Sequence, residues 1–206
     1  ILPTDRVLQW SNLAFDGSTY DIYSTLLNGG CLYLIDGISA SDPEALSRII
    51  LDNQVSVVFM TTALFNAFVD YDLEAFSSLR KLLFGGQQVS VPHVRRAYRS
   101  LGPGKLIHVY GPTETTVYAS YYEVDTEPVV NVPIGRPLSN TGIYVLNGSL
   151  GLSGLGMVGE LCIGGDGVSP GYLNHPQQTM DRFISNPFDA SGGGSLYRTG
   201  DLVRWL

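Results

Sequence analysis

A chain of 206 residues is about 1.4 times a typical 150-residue domain, long enough for a substantial core. Its two cysteines, Cys31 and Cys162, can build neither a disulfide framework nor a four-ligand zinc site, which points to a reducing compartment and a cytoplasmic location. Twelve Lys and Arg against 19 Asp and Glu give a net charge of −7, and no basic run is longer than Arg95-Arg96; this excludes a nucleic-acid footprint. No apolar run approaches the ~20 residues of a membrane span, so no membrane partner is expected.

From Cys31 the chain alternates short β-type runs with helical periods. Cys31 to Ile35 reads as a strand, and Ser41-Asp42-Pro43-Glu44 supplies a cap, a proline and an acid for a helix running to about Leu51. Val55 to Met60 is the next strand, Thr62 to Val69 a short helix, Lys81 to Phe84 a strand, Val91 to Leu101 a helix, and Leu106 to Tyr110 a fourth strand. This rhythm predicts a parallel sheet with helices on its faces. Ligands bind at the carboxyl ends of such strands, where Gly85-Gly86 and Gly111-Pro112-Thr113-Glu114 form turns. After Tyr110 the pattern changes. Val117 to Val124, Gly142 to Leu146 and Val158 to Ile163 read as strands separated by turn-rich segments such as Asn147-Gly148, which predicts an antiparallel continuation, barrel-like or a meander. Ser191-Gly192-Gly193-Gly194-Ser195 reads as a flexible loop before Leu196-Tyr197-Arg198. The chain starts at Ile1 and stops at Arg204-Trp205-Leu206 in mid-pattern, and so reads as an excised piece.

Several chemistries lack their motifs. Gly154-Leu155-Gly156-Met157-Val158-Gly159 matches GxGxxG, but it follows a turn and leads into a strand, whereas a dinucleotide fingerprint follows a strand and opens a helix. No P-loop and no GxSxG elbow is present, and His93, His108 and His175 share no metal-ligand spacing.

Three segments are more specific. Tyr110-Gly111-Pro112-Thr113-Glu114-Thr115-Thr116 puts hydroxyls and a carboxylate on a Gly-Pro turn at a strand end; Gly159-Glu160-Leu161-Cys162-Ile163-Gly164-Gly165 runs on to Gly171-Tyr172-Leu173; Tyr197-Arg198-Thr199-Gly200-Asp201-Leu202 closes the set. In this order and at these separations they closely resemble the adenylation domains of nonribosomal peptide synthetases, members of the adenylate-forming superfamily. Phe15-Asp16-Gly17-Ser18 resembles that family's substrate-pocket motif, so the resemblance covers essentially the whole chain. It implies the central part of the large N-terminal subdomain: α/β, with a flavodoxin-like parallel sheet and flanking helices over 1–118, then barrel-type β-structure over 119–206.

The resemblance also implies chemistry. An adenylation domain joins an amino-acid carboxylate to the α-phosphate of ATP with Mg²⁺, then passes the acyl group to the phosphopantetheine of a carrier domain, beside condensation domains of the same assembly line. By resemblance Tyr110 stacks on adenine, Thr113 contacts phosphate, Glu114 helps hold Mg²⁺ and Asp201 bonds the ribose hydroxyls; Gly86, His108 and Gly111 complete the nucleotide side, and Thr113 and Glu114 are the catalytic pair. His108 stands where the family usually has Asn, and Ser169-Pro170 replaces the usual Ala-Arg before Gly171-Tyr172, which predicts a local change at a turn. The family's phosphate loop and its catalytic Lys lie outside this chain, so the chain alone is expected to be inactive.

The substrate pocket implied by resemblance is lined by Asp16, Gly17, Tyr20, Phe59, Leu83, Gly85, Val109, Val117 and Tyr118. Asp16 is its one charge and matches the partner of a substrate α-ammonium, since a buried ammonium without a partner is strongly disfavoured. The remaining lining is apolar or aromatic and is similar to that of isoleucine-activating domains. The alternatives are an acyl- or aryl-CoA ligase of the same superfamily and a non-catalytic nucleotide-binding module.

Overall fold

Five short runs of alternating side chains pair in parallel at the centre of the fold. The computed structural model describes residues 1–35, 42–189 and 193–206, so Ser41, Ser191 and Gly192 of the segments read above lie outside the described residues. The runs are β1 (Arg6–Gln9), β2 (Cys31–Leu34), β3 (Val57–Thr61), β4 (Lys81–Gly85) and β5 (Leu106–Tyr110). With β6 (Ser120–Glu123) and β7 (Arg136–Pro137) they form one sheet in the order β2-β1-β3-β4-β5-β6-β7. The first five strands have the flavodoxin order 2-1-3-4-5, in which the chain changes direction between β1 and β3 and leaves a crevice at their carboxyl ends.

Period two sorts these strands into two faces. Val58 and Met60 of β3, Leu82 and Phe84 of β4 and Leu106 of β5 are fully buried on one face. They pack with Leu46 and Ile50 of α2 (Pro43–Asp52), Phe65 and Phe68 of α3 (Thr62–Tyr71), and Val94 and Ala97 of α4 (Val91–Leu101). Phe65 stacks on Phe84 at 4.4 Å, a contact worth about 0.5–1.5 kcal/mol beyond its buried area. The Asp42 carboxylate caps α2 by accepting from the amides of Glu44 and Ala45, with Pro43 in the first turn. The sheet's other face receives the short α1 (Gly17–Thr19), which continues as a π-helical turn over Tyr20–Ser24. The right-handed crossover rule requires this, because the β1-to-β2 connection runs opposite to the others.

At the amino ends of the strands a buried carboxylate ties three of them. Asp5 is 2% exposed; Arg80 donates to it through Nε at 2.8 Å and Nη2 at 2.5 Å, and Ser56 Oγ and the Leu2 amide donate at 2.8 and 2.6 Å. The Arg80 bonds, then those of Leu2 and Ser56, outweigh burial and hold the acid far below its ordinary value of 3.8. A depressed folded pKa contributes stability that is complete above the unfolded value and is lost as pH falls toward the folded one. Asp5→Asn is therefore expected to cost about 1.5–3 kcal/mol at pH 7. The difference should shrink steadily below about pH 4. Urea unfolding at pH 7 and pH 3 checks it; equal losses at both pH values would contradict the assignment.

The chain divides into two compact units, one of Ile1–Tyr110 with Tyr121–Arg136 and one of Gly111–Ser120 with Pro137–Leu206. The second unit carries an antiparallel sheet ordered β10-β11-β9-β8, made of β8 (Thr141–Leu146), β9 (Gly159–Gly165), β10 (Phe183–Ser185) and β11 (Ser195–Val203). Leu146, Cys162 and Leu196 are its buried centre, with Tyr144, Ile184 and Phe188 packed around them. The GxGxxG segment lies between β8 and β9 as a turn, with Gly156 at φ +75°. One expected strand is shorter than its sequence suggests. The run from Val117 enters the sheet only at Ser120, because Thr116 and Val117 adopt φ of 65° and 66°, outside the extended region.

Candidate active site

In the first unit the expected pocket residues gather by register. Phe59 pairs with Leu83, and Gly85 with Val109, so these four share the sheet face opposite the helix-covered core. Gly85 is dictated by space: a Cβ there would lie 2.1 Å from the Val109 carbonyl oxygen. Gly17 approaches from the α1 side, its virtual Cβ 3.4 Å from the Phe59 ring. Trp10, just past β1, donates its indole N–H to the Phe59 carbonyl at 2.8 Å and so fastens the crevice between β1 and β3. Asp16 occupies the N-cap position of α1, yet its half-buried side chain makes no capping hydrogen bond. That separates it from an ordinary helix cap. Tyr20 begins the π-helical turn, and burial, aided by the adjacent Asp21 charge, pushes its hydroxyl up to about 12. It therefore stays protonated at neutral pH.

The expected nucleotide residues of this unit leave β4 and β5 differently. Gly86 has φ +89° and open space where a Cβ would stand, which lets a ligand approach the backbone. His108 and Tyr110 point to the face of β5 opposite Val109. His108 is buried, stacks on Phe84 at 5.5 Å, and lies 2.7 Å from the Pro133 carbonyl through Nδ1. The tautomer with its hydrogen on Nδ1 satisfies that bond and leaves Nε2 as an acceptor. Burial lowers its pKa against the opposing Pro133 bond, so the ring is neutral at physiological pH.

In the second unit the three motifs converge. The turn holding Thr113 and Glu114 is a short 3-10 helix, Thr113–Thr115, and Gly111 before it has no room for a side chain: a Cβ would meet the Tyr118 Cα and the Val117 carbonyl at 2.5 Å. The segment after β9 grips this turn, with the Ser169 amide donating to the Glu114 carbonyl at 2.9 Å and the Thr116 hydroxyl to the Gly167 carbonyl at 2.7 Å. Because Ser169 acts through its backbone, the departure Ser169-Pro170 leaves the grip intact. Thr113 is exposed, and Val117 and Tyr118 are half-buried.

Glu114 carries the electrostatics of this turn. Its Oε1 accepts from the Tyr172 hydroxyl at 2.5 Å. Burial pushes its pKa up, but bonds from Tyr172, its own amide and Tyr197, with the charge of Arg182, outweigh this and leave it below the ordinary carboxylate range. The group is ionised at neutral pH, a hard oxygen donor that keeps lone-pair capacity beyond the hydrogen bonds it accepts. That fits Mg²⁺, which takes one or two carboxylates beside substrate phosphates and keeps several waters.

Asp201 is placed by a bulge. From Arg198 to Leu202 β11 advances four positions while β9 advances two, from Cys162 to Glu160, so Thr199-Gly200-Asp201 is thrown outward. Glu160 holds the bulge: it receives Arg198 through Nε and Nη2 at 3.1 and 2.7 Å and the Gly200 amide at 3.2 Å. Thr199 donates to the Leu161 carbonyl at 2.8 Å and accepts from the Asp201 amide at 3.0 Å. Exposed Asp201 stands at the bulge's outer end.

The family description "AMP-binding enzyme" matches residues 1–173. The chain belongs to the AMP-binding enzyme family. It is 48% identical over its whole length to part of bacitracin synthase 1 of Bacillus licheniformis, and 49% identical over 98% of its length to part of surfactin synthase subunit 3 of Bacillus subtilis (strain 168). It spans 4% and 16% of those two proteins. Among solved structures, holo-PA1221, an NRPS protein containing adenylation and PCP domains bound to a vinylsulfonamide inhibitor, matches with TM-score 0.91 and 36% identity over 98% of this chain and 36% of that one. The N-terminal subdomain of Klebsiella oxytoca NpsA in complex with 3-hydroxybenzoyl-AMSN matches with TM-score 0.90 and 31% identity over 99% of this chain and 50% of that one. Among the described residues no helix is long and apolar enough to cross a membrane.

Within this AMP-binding fold, sequence reading leaves the supporting residues without roles. Tyr172, Tyr197, Glu160 and Arg198 all stand inside the quoted motifs, and only the contacts show what each one touches. The signal available was that each motif contains a polar or aromatic residue with no assigned ligand.

Proposed function

We propose that this chain is part of an amino-acid adenylation domain of a nonribosomal peptide synthetase, activating a branched aliphatic amino acid, isoleucine first. What carries this reading is the ionised Glu114 carboxylate fixed on the turn that follows β5, in a chain whose relatives include bacitracin and surfactin synthases. In this account a substrate carboxylate oxygen attacks the α-phosphorus of ATP, pyrophosphate leaves, and an aminoacyl-AMP forms. A carrier thiol, that of phosphopantetheine, then attacks the acyl carbon and AMP departs. The solved neighbours containing adenylation and PCP domains support that partner.

The residues divide the work. Tyr110 stacks on adenine, and Gly86, His108 and Gly111 shape the same side. Asp201 bonds the ribose from its bulge, and Thr113 contacts phosphate. Glu114 would hold Mg²⁺, which supplies charge neutralisation on the phosphates. Asp16 meets the α-ammonium, while Gly17, Tyr20, Phe59, Leu83, Gly85, Val109, Val117 and Tyr118 receive the side chain. Alternation along β5 supports this division, because His108 and Tyr110 leave one face and Val109 the other.

Amino-acid-dependent exchange of pyrophosphate into ATP, run over the proteinogenic set on a complete adenylation domain containing this chain, tests the reading. Isoleucine should lead, with valine and leucine within about 10–200-fold, since one methylene is worth about 1–3 kcal/mol in an apolar pocket. Asp, Glu, Lys and Arg should be rejected outright, because their charges would be buried unpaired. A preference for a charged amino acid would overturn the assignment.

A further inference from the structure

Gly171-Tyr172-Leu173 belongs to a motif to which the account above gives no chemical part, yet its tyrosine makes a short bond to a candidate site residue. The Tyr172 hydroxyl donates to Glu114 Oε1 at 2.5 Å across 58 residues of sequence. Tyr172 is itself locked. Its amide donates to Thr179 Oγ1 at 2.9 Å, and its ring meets Phe183 edge-on at 5.5 Å. Its oxygen lies 3.4 Å from the Tyr197 hydroxyl. Gly171 allows this approach: at φ +136°, a Cβ there would fall 2.3 Å from Thr179 Cγ2.

This arrangement goes beyond holding a turn together. The bonds of Ser169 and Thr116 already fix the backbone around Glu114, so the Tyr172 bond adds only side-chain direction. An unrestrained glutamate samples several rotamers and loses that freedom on binding a cation. A bond that fixes one of its oxygens lowers that cost while leaving lone-pair capacity for a metal. We propose that Tyr172 is the positioning residue that pre-orients the Glu114 carboxylate as a ligand for the divalent cation of ATP. The proposal rests on the reading of Glu114 as the cation ligand.

Binding of Mn²⁺ to a complete adenylation domain containing this chain, followed by the electron paramagnetic resonance of free Mn²⁺ with a non-hydrolysable ATP analogue present, tests it apart from turnover. Tyr172→Phe should weaken Mn²⁺ about threefold to tenfold and raise the Mg²⁺ concentration for half-maximal exchange by a similar factor, with the amino-acid KM unchanged. In a Glu114→Gln background the same substitution should add nothing. Unchanged Mn²⁺ affinity in Tyr172→Phe, or an equal loss in the Glu114→Gln background, would overturn the proposal. If Glu114→Gln itself leaves Mn²⁺ affinity unchanged, the reading of Glu114 fails, and the proposal falls with it. Should Tyr172→Phe fail to fold by near-ultraviolet circular dichroism, Thr179→Val replaces it. That variant keeps the shape but removes the oxygen that anchors the Tyr172 amide; weakened Mn²⁺ is expected, and unchanged affinity would overturn the proposal.

Discussion

Asp16→Ala, introduced into a complete adenylation domain containing this chain, is expected to lower kcat/KM for isoleucine by roughly 30-fold to 5,000-fold. Removing one partner of a buried, hydrogen-bonded charge pair costs about 2–5 kcal/mol, most of it the penalty of leaving the other charge unpaired. Asp16 is free for such a pairing, because its side chain makes no bond to the helix it precedes. Selectivity should invert with the loss. The des-amino analogue, 3-methylpentanoate, brings no ammonium to the site, so the variant should use it at least as well as the parent does. Exchange kinetics with both acids check this; equal loss for the two would assign Asp16 to the fold.

Glu114→Gln is the second large effect, an expected fall in exchange of about tenfold to a hundredfold at limiting Mg²⁺. The amide keeps the shape and can still accept from Tyr172, but it carries no charge for a cation, and a charge-assisted interaction is worth roughly 1.5–3 kcal/mol. Excess Mg²⁺ should restore part of the rate, while the order of preference among isoleucine, valine and leucine stays the same. The pH dependence follows from the direction of the Glu114 shift. A carboxylate held below the ordinary range stays ionised throughout pH 6–8, so the Mg²⁺ requirement of the parent should be flat there. A steep rise in that requirement between pH 8 and pH 6 would contradict the assignment.

The parallel half of the fold was readable because apolar runs such as Val55 to Met60 are wide enough to show as strands, with a proline or acid to start the intervening helices. β1 was not. Val7 and Leu8 stand alone between Arg6 and Gln9, and only parallel pairing with β2 and β3 makes that segment a strand. The π-helical turn over Tyr20–Ser24 has no periodic signal of its own. The late start of β6 follows from positive φ at Thr116 and at Val117, a β-branched residue whose local preference is extended. At the candidate site, Asp16, Tyr110, Thr113, Glu114 and Asp201 stood in motifs whose order and spacing could be read. The contacts that orient them could not, since Tyr172 to Glu114 and Arg198 to Glu160 join positions 58 and 38 residues apart. Such pairs are set by β-register and loop packing, which spacing in the chain does not encode.

The proposed role of these residues is transfer of a carboxylate to the α-phosphorus of ATP. The most direct measurement is mass-spectrometric identification of the products that a complete domain containing this chain forms from isoleucine, ATP and Mg²⁺ before any carrier is added. Isoleucyl-AMP and pyrophosphate in equal amounts, absent when isoleucine is left out, is the predicted result; ADP and phosphate, or ATP left intact, would contradict it.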